Sequence, residues 1–164
     1  MALRVERPLP LSRRDQTRRA LAYRRILVPV IDRGISEQAM PIACRLAADR
    51  RATVTAVAVI EVPAELPLDA HMFEEEEQLK PVLADASAIA ESYGVGIKAK
   101  TLRARAAGEA IVQEAAYADS EIIVVSVPSK LRLSRRAAVF GSTVHYVLKH
   151  APCRVMVAAA PEAA

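Results

Sequence analysis

Tryptophan is absent from this chain of 164 residues, which has only two phenylalanines, four tyrosines, two cysteines and five glycines. So few aromatic rings leave no platform on which successive bases could stack, so no nucleic-acid partner is expected. Cys44 and Cys153 fall in a helix-like and a strand-like segment without CxxC or Cys/His spacing. Buried reduced thiols are therefore expected, rather than a disulfide or a metal site. No apolar stretch approaches the roughly 18 residues of a membrane span, and the Arg-rich start lacks the apolar core of a signal peptide. The expected compartment is the cytoplasm.

Catalytic constellations are also missing. Ser126, Ser129 and Ser134 have no nearby His/Asp partners and no G-x-S-x-G elbow, so no hydrolase nucleophile is paired with a base. His145 and His150 lie five apart on one helix, which is not metal spacing, and His71 is isolated; all three read as structural or surface residues, and no metal is expected. On these grounds the chain is not read as an enzyme.

What is present points to one compact domain with a sizeable core, since 52% of the residues are hydrophobic. The net charge of +4 is unevenly placed: residues 1–25 carry eight arginines against Glu6 and Asp15, so the remainder is slightly acidic. Residues 1–22, with Pro8, Pro10 and few large apolar side chains, cannot offset their ordering entropy by burial and read as a basic, flexible tail. The domain is expected over 23–160, followed by a short tail at 161–164.

From Tyr23, the run RRILVPV has the continuous β-branched character of a strand covered on both faces. Ser36 followed by Glu37 and Gln38 can cap a helix whose apolar positions Ala39, Ile42, Ala43, Leu46 and Ala47 carry it to about Asp49, although Pro41 argues for a later start. Thr53 to Val62 forms the second strand. Glu74 to Glu77 favour a helix N-terminus and read as a solvated face, and Pro81 is expected to break or kink that helix before the stripe Val82, Ala86, Ile89, Ala90 and Tyr93 ends at Gly94. Lys98 to Leu102, a helix over Gly108 to Tyr117, a strand over Glu121 to Val127, a helix over Gly141 to His150 and a last strand over Cys153 to Ala159 complete the pattern. Strands alternating with helices predict an α/β fold of Rossmann-like type, with parallel pairing, right-handed crossovers and helices on both faces.

ILVPV near the start, GEAIVQEA before EIIVVSVP, and FGSTVHYVLKHAPCRVMV closely resemble the universal stress protein family over roughly residues 23–159. The resemblance implies an open five-stranded sheet in the order 3-2-1-4-5. It implies a homodimer through the last strand, with Cys153, Arg154, Val155, Met156 and Val157 at the dimer edge, and adenine-nucleotide binding in some members. ATP-binding members carry Gly-x2-Gly-x9-Gly-Ser/Thr after the fourth strand, where backbone N–H groups wrap the phosphates. Here Pro128 and Leu131 stand at the first two glycine positions, and only Gly141 and Ser142 match; Ile31 holds the family's aspartate position, with Asp32 one residue late.

The loop is rich in cations instead: Lys130, Arg132, Arg135 and Arg136 precede the helix that Gly141 and Ser142 open. Arginine can hold a phosphate with two aligned N–H groups. The site expected for a nucleotide or other anion therefore gathers Pro29, Val30, Ile31 and Asp32, Val59, Val127, Pro128, Lys130, Leu131, Arg132, Arg135 and Arg136, and Gly141, Ser142 and Thr143. The alternative is that the four cations form only a solvated loop. ATP or another adenine nucleotide is the expected cofactor, with Mg only if ATP binds.

Three functions stay open at this point. The first is a regulatory module that reports a bound nucleotide or anion to a partner; the second is a dimeric interaction module without a nucleotide; the third is a weak ATPase. The chain also resembles stress-protein modules at the cytoplasmic ends of amino-acid permeases and other transporters, where a basic linker precedes RRILVP. The basic tail suits that arrangement or contact with an anionic membrane surface.

Overall fold

Five strands pair in parallel, and the helices between them cover both sides of the sheet they form. The computed structural model describes residues 22–30, 33–47, 51–127 and 141–159. The elements are β1 (Arg25–Pro29), α1 (Arg33–Leu46), β2 (Thr53–Glu61), α2 (Phe73–Ser92), β3 (Gly96–Ala104), α3 (Ala107–Tyr117), β4 (Ile122–Val127), α4 (Ser142–His150) and β5 (Arg154–Ala159). The strand order is β3-β2-β1-β4-β5, as the resemblance implied, and every pairing is parallel.

Alternation along the central strands divides the core in two. Ile26 and Val28 of β1, with Val54, Ala56, Ile122 and Val124, pack beneath α1 and α2 against Met40, Ala43, Val82, Ala86 and Ala90. Leu27, Val57, Ile123, Val125 and Val127 face the other way, against Ile111 and Ala115 of α3 and Val144 and Val147 of α4. Both faces of β1 and β4 are thus covered, which is why these strands read as continuous apolar runs.

Two helices differ from the sequence expectation. Helix α1 opens at Arg33, ahead of Ser36, and ends at Leu46, short of Asp49. Pro41 lies inside it and forfeits one backbone bond. Ala39, Met40 and Ala43 on the same segment are fully buried, and their burial offsets that loss. The helix stops where Tyr23 N–H donates to the Leu46 carbonyl at 2.8 Å and Ala47 bridges to Tyr23. Helix α2 runs through Pro81 as one element, held by its buried stripe Val82, Ala86 and Ala90. Strand β3 extends beyond Lys98–Leu102 at both ends because all nine residues of β2 find a partner on it, from Thr53 with Gly96 to Glu61 with Ala104.

The two sheet edges differ. On β3, Lys98 is exposed and Lys100 Nζ donates to Glu114 Oε1 at 2.7 Å. On β5, Val155, Met156 and Val157 are half-buried on a strand that, among the described residues, pairs only with β4. No helix among the described residues is long and apolar enough to cross a membrane. The basic segment 1–21 and the C-terminal tail lie outside the described residues.

Candidate functional site

The chain leaves β1 to build β2 and β3 on one side, then returns to build β4 and β5 on the other. In such sheets the crevice beyond the carboxyl ends of the strands, where the winding reverses, is where ligands bind. A cleft of about 670 Å³ opens at this end of the sheet. Pro29 and Val30 come from the end of β1, Val59, Ile60 and Glu61 from the end of β2, and Ala107 and Ile111 from the first turns of α3. Thr143 comes from the first turn of α4, and Glu75, Gln78, Leu79 and Val82 from α2 form the remaining wall. The volume falls in the range of about 300–1,000 Å³ usual for small-molecule pockets, and the walls are mainly apolar.

Two helix N-termini border this cleft, and they are treated differently. At α3, Ala106 at the cap position offers no side-chain bond, but Glu61 Oε1 accepts the Ala107 N–H at 2.7 Å. A carboxylate from β2 thereby satisfies one of the orphan donors and complements the positive end of the helix dipole. At α4, Gly141 holds the cap position with no side-chain bond, and no acidic residue lies in the first turn. A Cβ at Gly141 would meet no described atom within 4 Å. Among the described residues, the helix end on the cleft without such a carboxylate is that of α4, and a helix N-terminus attracts anions.

Wall α2 is pinned from β3. Arg103 donates to the Ala70 carbonyl and pairs with Glu76, one residue from Glu75 on the cleft. Arg105 donates to the carbonyls of Val62, at 3.0 Å, and Pro63. The connection between β2 and α2 is therefore held at both its ends. The four-glutamate run is more than a solvated face, since Glu75 borders the cleft and Glu76 is a half-buried partner of Arg103.

Of the residues expected from sequence, Pro29, Val30, Val59 and Thr143 line the cleft. Gly141 and Ser142 are exposed at the start of α4 beside Thr143. Val127 is placed differently: it is 2% exposed in the core beneath α3 and α4, because its position on β4 turns it into that layer. Ile31, Asp32, Pro128, Lys130, Leu131, Arg132, Arg135 and Arg136 lie outside the described residues. Sequence reasoning missed Glu61, Gln78 and the α3 opening. The signal at Glu61 was a charged residue closing an apolar strand, but its partner Ala107 lies 46 residues away.

The thiols are separated by the sheet, Cys44 in the layer beneath α1 and α2 and Cys153 packed against the opposite one. Both are free, and burial pushes both thiols up from their ordinary value, away from the reactive thiolate. His150 is exposed, its ring stacked on Tyr146 at 4.1 Å between centroids and its Nδ1 lying 3.0 Å from the Tyr146 carbonyl oxygen. No group of three His, Cys, Asp or Glu side chains among the described residues is placed to hold a metal.

The sequence profile of the universal stress protein family matches residues 22–159. The chain belongs to that family. A universal stress protein of Methanocaldococcus jannaschii is 30% identical over 148 residues, covering 85% of this chain and 84% of the relative. Among solved structures, the universal stress protein of Archaeoglobus fulgidus superposes with a TM-score of 0.68 at 22% identity, covering 83% of this chain and 98% of that one. The same protein in complex with dAMP gives a TM-score of 0.65 at 21% identity, with the same 83% and 98% coverage. A universal stress protein family member from Arabidopsis thaliana with AMP bound gives 0.57 at 17% identity, covering 84% and 92%. At these identities the structural likeness is one of fold.

Proposed function

We infer that this protein is a regulatory binding module whose cleft takes an adenine nucleotide, with base and ribose between the apolar walls and phosphate toward the start of α4. The observation that carries the reading is the pairing of a switch-point cleft with two helix openings, one already neutralised by Glu61 and the other, at Gly141, without a side-chain cap. The dAMP and AMP complexes of structurally similar family members support it. The four cations of the 130–136 segment precede α4 in sequence and would add charge for the phosphate. Mg enters only with a polyphosphate such as ATP. Binding acts by population shift, favouring the conformation that a partner reads.

Purification under native conditions followed by mass spectrometry, with calorimetric titration of AMP and ATP, tests this reading. Copurified adenine nucleotide, or heat on titration, is the expected result. An empty protein that gives no heat with either nucleotide overturns it.

The second reading is an interaction module working through β5 without a nucleotide. Its support is the one-sided pairing of that strand among the described residues and its half-buried Val155, Met156 and Val157. A second copy of the chain, adding its own β5, is the proposed occupant of the edge, and ATP hydrolysis is the further alternative for the cleft.

A further inference from the structure

The polar lining of the cleft is acidic or neutral on the side away from α4: Glu61, Glu75 and Gln78 border it, and no described lysine or arginine does. Such a lining repels phosphate and accepts hydrogen-bond donors. Glu61 closes β2, while α4 follows β4, and β1 lies between those two strands. Two strand spacings separate the ends of β2 and β4, roughly 10 Å. A mononucleotide with its phosphate at α4 would lay its ribose over Pro29 and Val30 and bring its base to the end of β2, at Glu61.

Glu61 is also the carboxylate held in place. Its Oε1 is fixed by the Ala107 N–H at 2.7 Å, which leaves Oε2 as the acceptor without a described partner. Glu75 is exposed on α2 and has no such anchor among the described residues. A site whose acceptor is already oriented loses little on binding. Adenine offers a single exocyclic amino group, which one carboxylate oxygen can accept. Guanine offers a ring N–H and an amino group side by side, a pair that needs both oxygens of a carboxylate, and here one is engaged by α3.

We propose that Glu61 is the specificity-determining residue of the cleft, accepting the exocyclic amino group of a 6-aminopurine through Oε2 while Oε1 stays on the α3 backbone. The assignment rests on the nucleotide reading above and deepens it. It makes the end of β2 a selector for the base, separate from whatever holds the phosphate.

Calorimetric titration with AMP, with its analogue bearing hydrogen in place of the 6-amino group, and with GMP separates the two readings. The wild type is expected to prefer AMP over the 6-hydrogen analogue by about 10- to 100-fold, the range of one hydrogen bond to a charged group. GMP should bind no better than that analogue. Glu61→Ala should bind AMP and the analogue equally, both weakly. Glu61→Gln, which keeps an acceptor for the Ala107 N–H, should narrow the preference and serves where the alanine variant does not fold. An unchanged AMP-to-analogue ratio in either folded variant overturns the role of Glu61 while leaving nucleotide binding intact. A wild type that binds both ligands equally, or binds GMP more tightly than AMP, overturns it as well. A wild type that binds none of the three removes both this assignment and the reading beneath it.

Discussion

A Cβ built on Gly108 would stand 2.8 Å from the Cβ of Tyr146, so the first turn of α3 lies with its backbone directly against the Tyr146 side chain in the middle of α4. Both helices open on the cleft, through Ala107 and Thr143. The close approach therefore sets the distance between the two N-termini that border it. Gly108→Ala should destabilise the fold by about 1–3 kcal/mol, the usual cost of forcing atoms into a packed contact. The gain in helix propensity, about 1 kcal/mol, acts in the opposite direction. Urea unfolding followed by circular dichroism measures the balance, and a stabilised variant would show that the helices separate freely.

Arg103 joins β3 to the opening of α2 through the Ala70 carbonyl and Glu76. Its side chain is 28% exposed and that of Glu76 34%, so solvent screens the pair. Arg103→Ala should cost only about 1 kcal/mol of global stability. Its larger effect should be local, with faster proteolytic cleavage within residues 62–72 at an almost unchanged melting midpoint. Cleavage at the wild-type rate would mean that Arg105 alone holds the connection.

The Glu121 carboxylate is held below its ordinary range, first by the Arg24 N–H at 2.6 Å, then by the Arg25 N–H at 3.1 Å and the charges beside it. Its folded value is depressed, so its contribution to stability is present above the ordinary carboxylate value of about 4.3. The contribution is lost as pH falls through the folded value. Glu121→Gln should be less stable than the wild type at neutral pH, by less than about 1 kcal/mol given the exposure of the site. The two melting curves should converge between about pH 5 and pH 3. Parallel curves across that window would show that the two N–H bonds do not discriminate the charged form.

Met156 stands half-buried in the middle of β5, whose outer edge has no strand beside it among the described residues. On the proposal of a homodimer through this strand, the wild type should sediment as a dimer. Met156→Arg should shift it to monomer by placing a charge where the two edges meet. A monomeric wild type at high concentration removes the proposal.

Strands β1, β2 and β4 were legible because each is rich in β-branched residues and bounded by proline or a charge cluster, and because burial on both faces leaves no polar alternation to confuse the reading; β3, with its lysines and exposed positions, was read too short. Helix limits were less so. Ser36 carries every local mark of a cap, yet α1 opens at Arg33, and Pro41 and Pro81 both sit inside helices whose buried faces hold them there. A local rule records what a residue costs and not what the surrounding core contributes. Pro29, Val30, Val59 and Thr143 could be placed at the cleft because strand ends and helix openings are readable in order. Glu61 could not, since its role depends on β2 ending against α3, a meeting decided by sheet order and strand length.

The unlike edges of the sheet bear on how far such a molecule can associate. One margin, along β3, is edged by lysines, while the other, along β5, offers half-buried apolar side chains. A sheet with two receptive margins can add copies without limit and grow into a filament. With one receptive margin, a two-fold pairing consumes it in both copies at once, and the outward-facing margins of the pair are the charged ones. On the proposal of pairing through β5, assembly through this sheet would stop at two copies.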